Sequence, residues 1–295
     1  MIVTTTPTGT IGSQVVDRLI HANEQVRVIV RDPSRLHPTV RDRVEVVPGS
    51  HDDPEVVNKA FAGADAVFWL VPADRQAPSA HAAYVDFARP AVEAFVEHGV
   101  GHVVGVSALG RGLPVAEHAG YVTATLAMDD LIASRGVNYR ALTNPAFMDN
   151  TLRSVRAIKT EGRFGSPVAG DRKMPTVATR DIAAAAAGLL LDRDWTGFAE
   201  VPLLGPEDLS FNEMAEIISD TLGIPVGYEQ TPADSLKDDL LAYGWSEPMA
   251  QAMVDMLLAG NNGLNEGVTR TPENTTPTTF RQWCQDVLKP AFDAA

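Results

Sequence analysis

The sequence predicts an α/β protein, a doubly wound parallel sheet with a smaller, mainly helical C-terminal lobe. Three observations predict it. Short apolar runs rich in valine and isoleucine recur through the first half, at MIVTTT, QVRVIVR, VEVVPG, DAVFWLVP, HVVGVSA and YRALTNP. Helical patterns separate them, at about 12–21, 54–62, 80–98 and 117–134. The C-terminal part then turns to helical stretches, SFNEMAEIISDTLG, ADSLKDDLLAYG, EPMAQAMVDMLLAG and TTFRQWCQDVL, with Ser, Asp or Thr at several starts. Apolar strands divided by helices imply a parallel sheet covered on both faces, because each right-handed crossover lays a helix over it.

The rhythm changes near residue 151. MDNTLRSVRAIKTEG reads as a helix and RFGSPVAGDRKMPT as a loop, while the alanine-rich DIAAAAAGLLLD suits close packing on a sheet. FAEVPLLG can return a strand. The expected division is a sheet domain over 1–150, rejoined by about 181–205, and a helical lobe over 151–295. The polar run NNGLNEGVTRTPENTTPTT is expected to be a mobile loop.

Composition narrows the function classes. A formal charge of −14 repels phosphate backbones, so general nucleic-acid binding is not expected. No run approaches the roughly 18 apolar residues of a membrane span. With no secretion signal evident and a single cysteine, Cys284, set in the helical FRQWCQDVL, a cytoplasmic protein with a buried structural thiol is expected. No HExxH, CxxC or clustered His/carboxylate spacing suggests a metal, and no G-x-S-x-G elbow is present.

The chemistry-bearing motif is TTTPTGTIGSQVV. Thr8, Gly9, Thr10, Ile11 and Gly12 follow the first strand and open a helix with apolar Val15, Val16, Leu19 and Ile20. Glycines three apart at such a position let backbone amides approach a pyrophosphate (Gly9) and let the helix pack on the strand (Gly12). A plain strand–helix turn is the competing explanation. Thr6 stands where the tight turn usually has glycine, and a β-branched residue is expected there only with negative φ. The expected result is a modified dinucleotide site.

The second strand bears on the cofactor. Arg31 follows it directly, with Ser34 and Arg35 in RDPSR. An arginine here accommodates a 2′-phosphate, whereas an acid holds ribose hydroxyls, so NADP(H) is expected over NAD, although Asp32 could still serve a ribose.

These motifs resemble the NmrA-like group of atypical short-chain dehydrogenase/reductases, which bind NAD(P) on a Rossmann fold and include quinone reductase-like enzymes and redox-sensing regulators. The resemblance rests on TPTGTIGSQVV against the family's G-A-T-G-x-x-G, on VIVRDPSR, GSHDDPEVVNKAFAGADAVFWLVP, NYRALTNPAFMDN and ATRDIAAAAAGLLL. It implies that His51 and Asp52 lie near the adenine and that Val71 and Pro72 pass along the cofactor. It also implies that Asn144, Pro145 and Phe147 border the nicotinamide and substrate.

Short-chain reductases commonly use Ser, Tyr and Lys, the last two as Y-x-x-x-K, with the lysine helping to lower the tyrosine pKa. Ser107 and Tyr121 stand at tempting places, but Thr125 occupies the lysine position. Ser107 is expected at a strand tip lining the site. Tyr121 is either a proton donor or a structural or substrate-lining residue, and His118 reads as a solvated loop histidine. Phe147, Met148, Trp245, Met249 and Met253 form a candidate apolar lid, with core packing as the competing explanation. Hydride transfer needs chiefly an oriented acceptor. The leading expectation is therefore an NADPH-dependent reductase of a small conjugated, quinone-like or aromatic compound. A non-catalytic NADP-binding redox sensor, or a lyase or isomerase on the same fold, are the alternatives. Oligomeric state stays open.

Overall fold

The computed structural model describes residues 1–295. The main strands are β1 (Ile2–Thr4), β2 (Val26–Val30), β3 (Glu45–Pro48), β4 (Ala66–Trp69), β5 (His102–Ala108) and β6 (Asn138–Asn144). Further strands are β7 (Ala146–Phe147), β8 (Arg163–Ser166), β9 (Met174–Val177), β10 (Phe198–Pro202), β11 (Asp208–Leu209) and β12 (Gly227–Gln230). One seven-stranded sheet has the order β10-β6-β5-β4-β1-β2-β3. β1 runs parallel to both β2 and β4, with Ile2 opposite Val26 and Ala66. This is a Rossmann-type order, and its reversal point lies between β1 and β4.

The helices over the sheet include α1 (Thr10–His21), α2 (Pro38–Arg41), α3 (Pro54–Phe61), α4 (Phe87–Glu97) and α5 (Tyr121–Ala133). They are followed by α6 (Val155–Glu161), α7 (Thr179–Leu191), α8 (Phe211–Leu222), α9 (Ala233–Ala242), α10 (Glu247–Asn261), α11 (Phe280–Trp283) and α12 (Lys289–Ala294). Wide π turns precede α4 at Ala82–Asp86 and α12 at Cys284–Leu288. Each lies just before a helical proline, Pro90 and Pro290 respectively. A proline ring clashes with the carbonyl four residues earlier, and those carbonyls belong to Asp86 and Asp286, inside the two wide turns.

The chain divides into two compact units. The first comprises 1–107, 124–143 and 182–201, and the second 108–123, 144–181 and 202–295. The first is built on fully buried Trp69, Phe61, Phe95 and Tyr139 between sheet and helices. The second has its own core, with Met148, Ile158, Phe280 and Trp283 buried. Cys284 lies in that core, and burial pushes its thiol up to about 12, so it is an inert structural thiol.

Two readings of the second unit need correction. RFGSPVAGDRKMPT is not loop throughout, because it carries β8 and β9. β8 pairs in parallel with β12, while β9 is the middle of a small sheet between β11 and β7. These strands are short and glycine- or proline-bearing, so their partners far along the chain define them. The region after α10 is also not a mobile loop. Leu204 donates from its backbone to Asn274 and accepts from Thr276, and the Thr278 hydroxyl donates to buried Asp181 at 2.9 Å. Thr276 and Thr278 are the buried threonines of the run, and its backbone and Thr278 bonds tie it to residues far earlier in the chain.

Candidate dinucleotide-binding site

The loop after β1 departs from expectation at one residue. Thr6 takes φ 50°, the left-handed region, and not the negative φ expected of a β-branched residue. Its carbonyl accepts from the Gly9 amide at 2.9 Å, closing a turn whose second residue is Pro7. That proline disfavours the right-handed region for the residue before it. Thr6 therefore bears a strain that glycine would not, and its hydroxyl is buried with no hydrogen-bond partner. Thr6→Gly should raise stability by about 1 kcal/mol, the middle of the range left when glycine's entropy cost is taken from such strain. Thermal unfolding measures this as a rise of a few degrees in Tm.

The two glycines act differently. A Cβ on Gly12 would overlap the Thr6 carbonyl oxygen and come within 3.0 Å of the Thr5 oxygen, both backbone. Gly12 is what lets α1 lie against the loop. Gly9 has φ −87° and ψ 166°, open to any residue, and its Cβ would meet nothing nearer than 3.4 Å. Neither strain nor crowding inside the protein requires glycine there. At this place α1 has no side-chain cap and no acid in its first turn, so its exposed amides and positive dipole end suit a pyrophosphate. The residues present fit a dinucleotide.

Across the reversal point, buried Thr5 fastens the next strand end. Its hydroxyl accepts from the Leu70 amide at 2.9 Å and lies 3.2 Å from the carbonyl oxygens of Phe68 and Leu70. Val71 follows as a buried residue and Pro72 as an exposed one.

At the tip of β2, Asp32 caps a short 3₁₀ turn. It accepts from the Ser34 amide at 3.0 Å and the Ser34 hydroxyl at 2.6 Å, contacts that hold its carboxyl below the usual range. Asp32 Oδ1 is thus engaged by Ser34, while Arg31 and Arg35 stay exposed. Arg35 lines a cavity of about 400 Å³ together with Thr8, Ser13, His37 and Thr39. His51 is buried, with its ring edge-on to Trp69 and Phe87 and its Nε2 3.1 Å from the Leu70 oxygen. Burial depresses its pKa to about 4, so it is neutral, and the charges of Asp52 and Arg31 act on it in opposite directions. Its imidazole is part of the sheet packing, and Asp52 beside it is exposed.

Of the catalytic candidates, Ser107 is placed otherwise than expected. Ser107 does not line an open strand tip. It is 5% exposed, and its hydroxyl donates to Asp129 Oδ2, while the Tyr139 hydroxyl donates to Asp129 Oδ1 at 2.5 Å. Asp129 is wholly buried on α5. Ser107 therefore ties β5 to α5. Tyr121 is 7% exposed, and its hydroxyl donates to the Met249 carbonyl at 3.0 Å, an arrangement in keeping with the structural alternative. Thr125, at the lysine position, hydrogen-bonds the half-buried Tyr84. His118 is exposed.

Sequence reasoning assigned no role to Asp129 or Tyr84. An acid inside the otherwise apolar TLAMDDLIA was the available signal for the first. Nothing local marked the second.

In the second unit, Asn144 and Pro145 are buried, and the Asn144 carbonyl accepts from the Leu109 amide at 3.1 Å. Phe147 and Trp245 are half-buried. Met148 is 1% exposed and belongs to the core, a correction to its placement as substrate lining. Met249 is likewise core.

Residues 7–193 match the NAD(P)H-binding family. The chain belongs to that family. It is accordingly an NAD(P)-dependent oxidoreductase, and the match agrees with the NmrA-like resemblance. A Streptomyces griseus (4-alkanoyl-5-oxo-2,5-dihydrofuran-3-yl)methyl phosphate reductase is 31% identical, over 96% of each chain. An NAD(P)H azoreductase from Xenophilus azovorans is 28% identical, over 94% of this chain and 93% of its own. Among solved structures, a Citrobacter sp. triphenylmethane reductase complexed with NADP(H) superposes with TM-score 0.79 at 23% identity, covering 96% of this chain and 98% of its own. No helix is long and apolar enough to cross a membrane.

Proposed function

We propose that the protein is an NADPH-dependent reductase that delivers hydride to a small conjugated acceptor, quinone-like or aromatic. The observation that carries the dinucleotide part is Gly9, unstrained and uncrowded, at the uncapped start of α1. Thr8, Gly9, Thr10, Ile11 and Gly12 form the loop that holds the pyrophosphate, with Gly9 giving it room while its own amide stays bonded to the Thr6 carbonyl, and Val71 and Pro72 flank the dinucleotide. By the family resemblance, Asn144, Pro145 and Phe147 are the residues assigned to the nicotinamide and substrate, and Trp245 is a half-buried aromatic candidate for substrate lining. The cofactor supplies the hydride.

Choice of the phosphorylated cofactor follows from the two exposed arginines at the tip of β2, beside an acid with one oxygen already engaged by Ser34. Arg31 and Arg35 remain to meet a 2′-phosphate. Arg31→Ala should weaken NADPH about tenfold or more and leave NADH nearly unchanged, the size of one lost charge-assisted hydrogen bond. Fluorescence titration with both cofactors measures it, and equal wild-type affinities would contradict the preference.

The acceptor class follows from the committed hydroxyls of Ser107 and Tyr121. An isolated ketone needs an acid at its oxygen as hydride arrives, whereas a conjugated acceptor spreads that charge and takes its proton from water. The two reductase relatives are consistent with such acceptors. Loss of both usual hydroxyls also suits a redox sensor without turnover. Following NADPH oxidation with a panel of quinones, enones and azo compounds separates the two: NADPH bound with no acceptor consumed would leave the sensor.

A further inference from the structure

We propose that His37 is a protonation-dependent determinant of cofactor choice: when charged it joins Arg35 at the 2′-phosphate, so that discrimination against the unphosphorylated cofactor depends on pH. This rests on the dinucleotide site and the NADPH preference argued above. The groups concerned meet at the cavity of about 400 Å³ beside the loop after β1. The loop contributes Thr8, α1 contributes Ser13 and Asp17, and the chain after β2 contributes Arg35, His37 and Thr39. Thr8 belongs to the phosphate loop and Arg35 to the turn that closes β2, the two elements that meet the pyrophosphate and the adenosine ribose in a Rossmann-type fold. His37 is held in place there. Leu36 before it is 4% exposed, and the His37 carbonyl accepts from the amides of Val40 and Arg41, each at 3.0 Å. Its ring Nδ1 lies 2.8 Å from the Thr39 hydroxyl oxygen, which leaves Nε2 to meet a ligand. Protonation puts a hydrogen on both ring nitrogens and a positive charge on the ring. Nδ1 can then keep Thr39 while Nε2 becomes a charged donor.

The charges around the cavity give a titrating group its leverage. Arg35 is the one fixed cation lining it, and Asp17 on α1 is an exposed carboxylate lining it too. The other lining residues are hydroxyl-bearing or apolar. Arg31, Arg41 and His21 do not line it, and the His21 ring is bonded to the Asp17 carbonyl. A phosphate monoester brings about −1.5 to −2 charges at neutral pH. With Asp17 opposing that charge, one guanidinium falls short of balancing it, and protonated His37 supplies the second positive charge. The phosphate's own last proton, which leaves at about pH 6, works in the opposite direction, because acidification also removes negative charge from the ligand. The contribution of His37 is therefore read as the difference between the wild-type protein and a variant without the ring, at each pH.

The test is calorimetric titration of the wild-type protein and His37→Gln with NADP⁺ and NAD⁺, at about pH 6 and about pH 8. The oxidised pair differs by the same 2′-phosphate and withstands acid. His37 is exposed, so the variant should unfold at the wild-type midpoint. At pH 6, His37→Gln should weaken NADP⁺ about fivefold, the difference between a charged and a neutral donor. At pH 8 the loss should stay within about twofold, and NAD⁺ should bind both proteins alike at either pH. Wild-type protein that prefers NADP⁺, with the same preference in His37→Gln at both pH values, overturns the proposal and leaves the NADPH reading standing. A loss of equal size at pH 6 and pH 8 also overturns it, since His37 would then act without titrating. Equal wild-type affinities for NADP⁺ and NAD⁺ at both pH values defeat the proposal and the NADPH reading together.

Discussion

Gly12→Ala is expected to destabilise the protein by at least about 3 kcal/mol and to abolish NADPH binding. The added methyl would overlap the Thr6 carbonyl oxygen and lie 2.8 Å from the Thr6 carbonyl carbon. No flexible side chain can move aside, because every close atom is backbone. Overpacking a core typically costs about 1–3 kcal/mol, and a rigid obstacle puts this site at or above the top of that range. Alanine's better helix propensity returns only about 1 kcal/mol. Relief comes from α1 withdrawing from the turn at Thr6–Gly9, which displaces the amides that face the pyrophosphate. Chemical denaturation and a cofactor titration would both register the change. A variant as stable as wild type, binding NADPH normally, would show that α1 tolerates a wider seat.

Asp129→Ala should cost on the order of 3–5 kcal/mol. Asp129 is fully buried and receives the hydroxyls of Ser107 and Tyr139, so its loss strands two buried donors and opens a cavity. Tyr139 cannot readily turn elsewhere. Its ring passes so close over Gly105 that a Cβ there would overlap the hydroxyl. Asp129→Asn keeps the shape and can accept from one hydroxyl while donating to the other, so it should cost about 1–2 kcal/mol. Denaturant midpoints for the pair decide the matter. Equal and small losses would mean that Asp129 does not organise this contact.

The sheet was legible because its strands are buried on both faces and therefore read as continuous valine- and isoleucine-rich runs, as in VRVIV of β2. The glycine loop was legible because position along the chain, directly after the first strand, restricts what such a pair can do. The φ of Thr6 was not. Propensity assigns a β-branched residue to negative φ, and Pro7 together with the Thr6–Gly9 turn overrules it. Ser107 misled, and the alternatives for Tyr121 stayed open, for a related reason: spacing places a hydroxyl on an element but does not say which neighbour receives it. Asp129 and the Met249 carbonyl lie 22 and 128 residues away from their respective donors. The polar run after α10 looked mobile for the same cause, since Asp181, which bonds Thr278, is 97 residues earlier.

The most direct test of a working phosphate loop is an NADPH fluorescence titration of Gly9→Val beside the wild-type protein. The backbone angles at Gly9 suit valine and its Cβ would make only ordinary contacts within the protein, so unfolding midpoints should lie close together. What it obstructs is the approach of a pyrophosphate to the start of α1. Saturable wild-type binding, lost in the folded variant, is the expected result. NADPH binding of wild-type strength in Gly9→Val would contradict the placement of the dinucleotide on this loop.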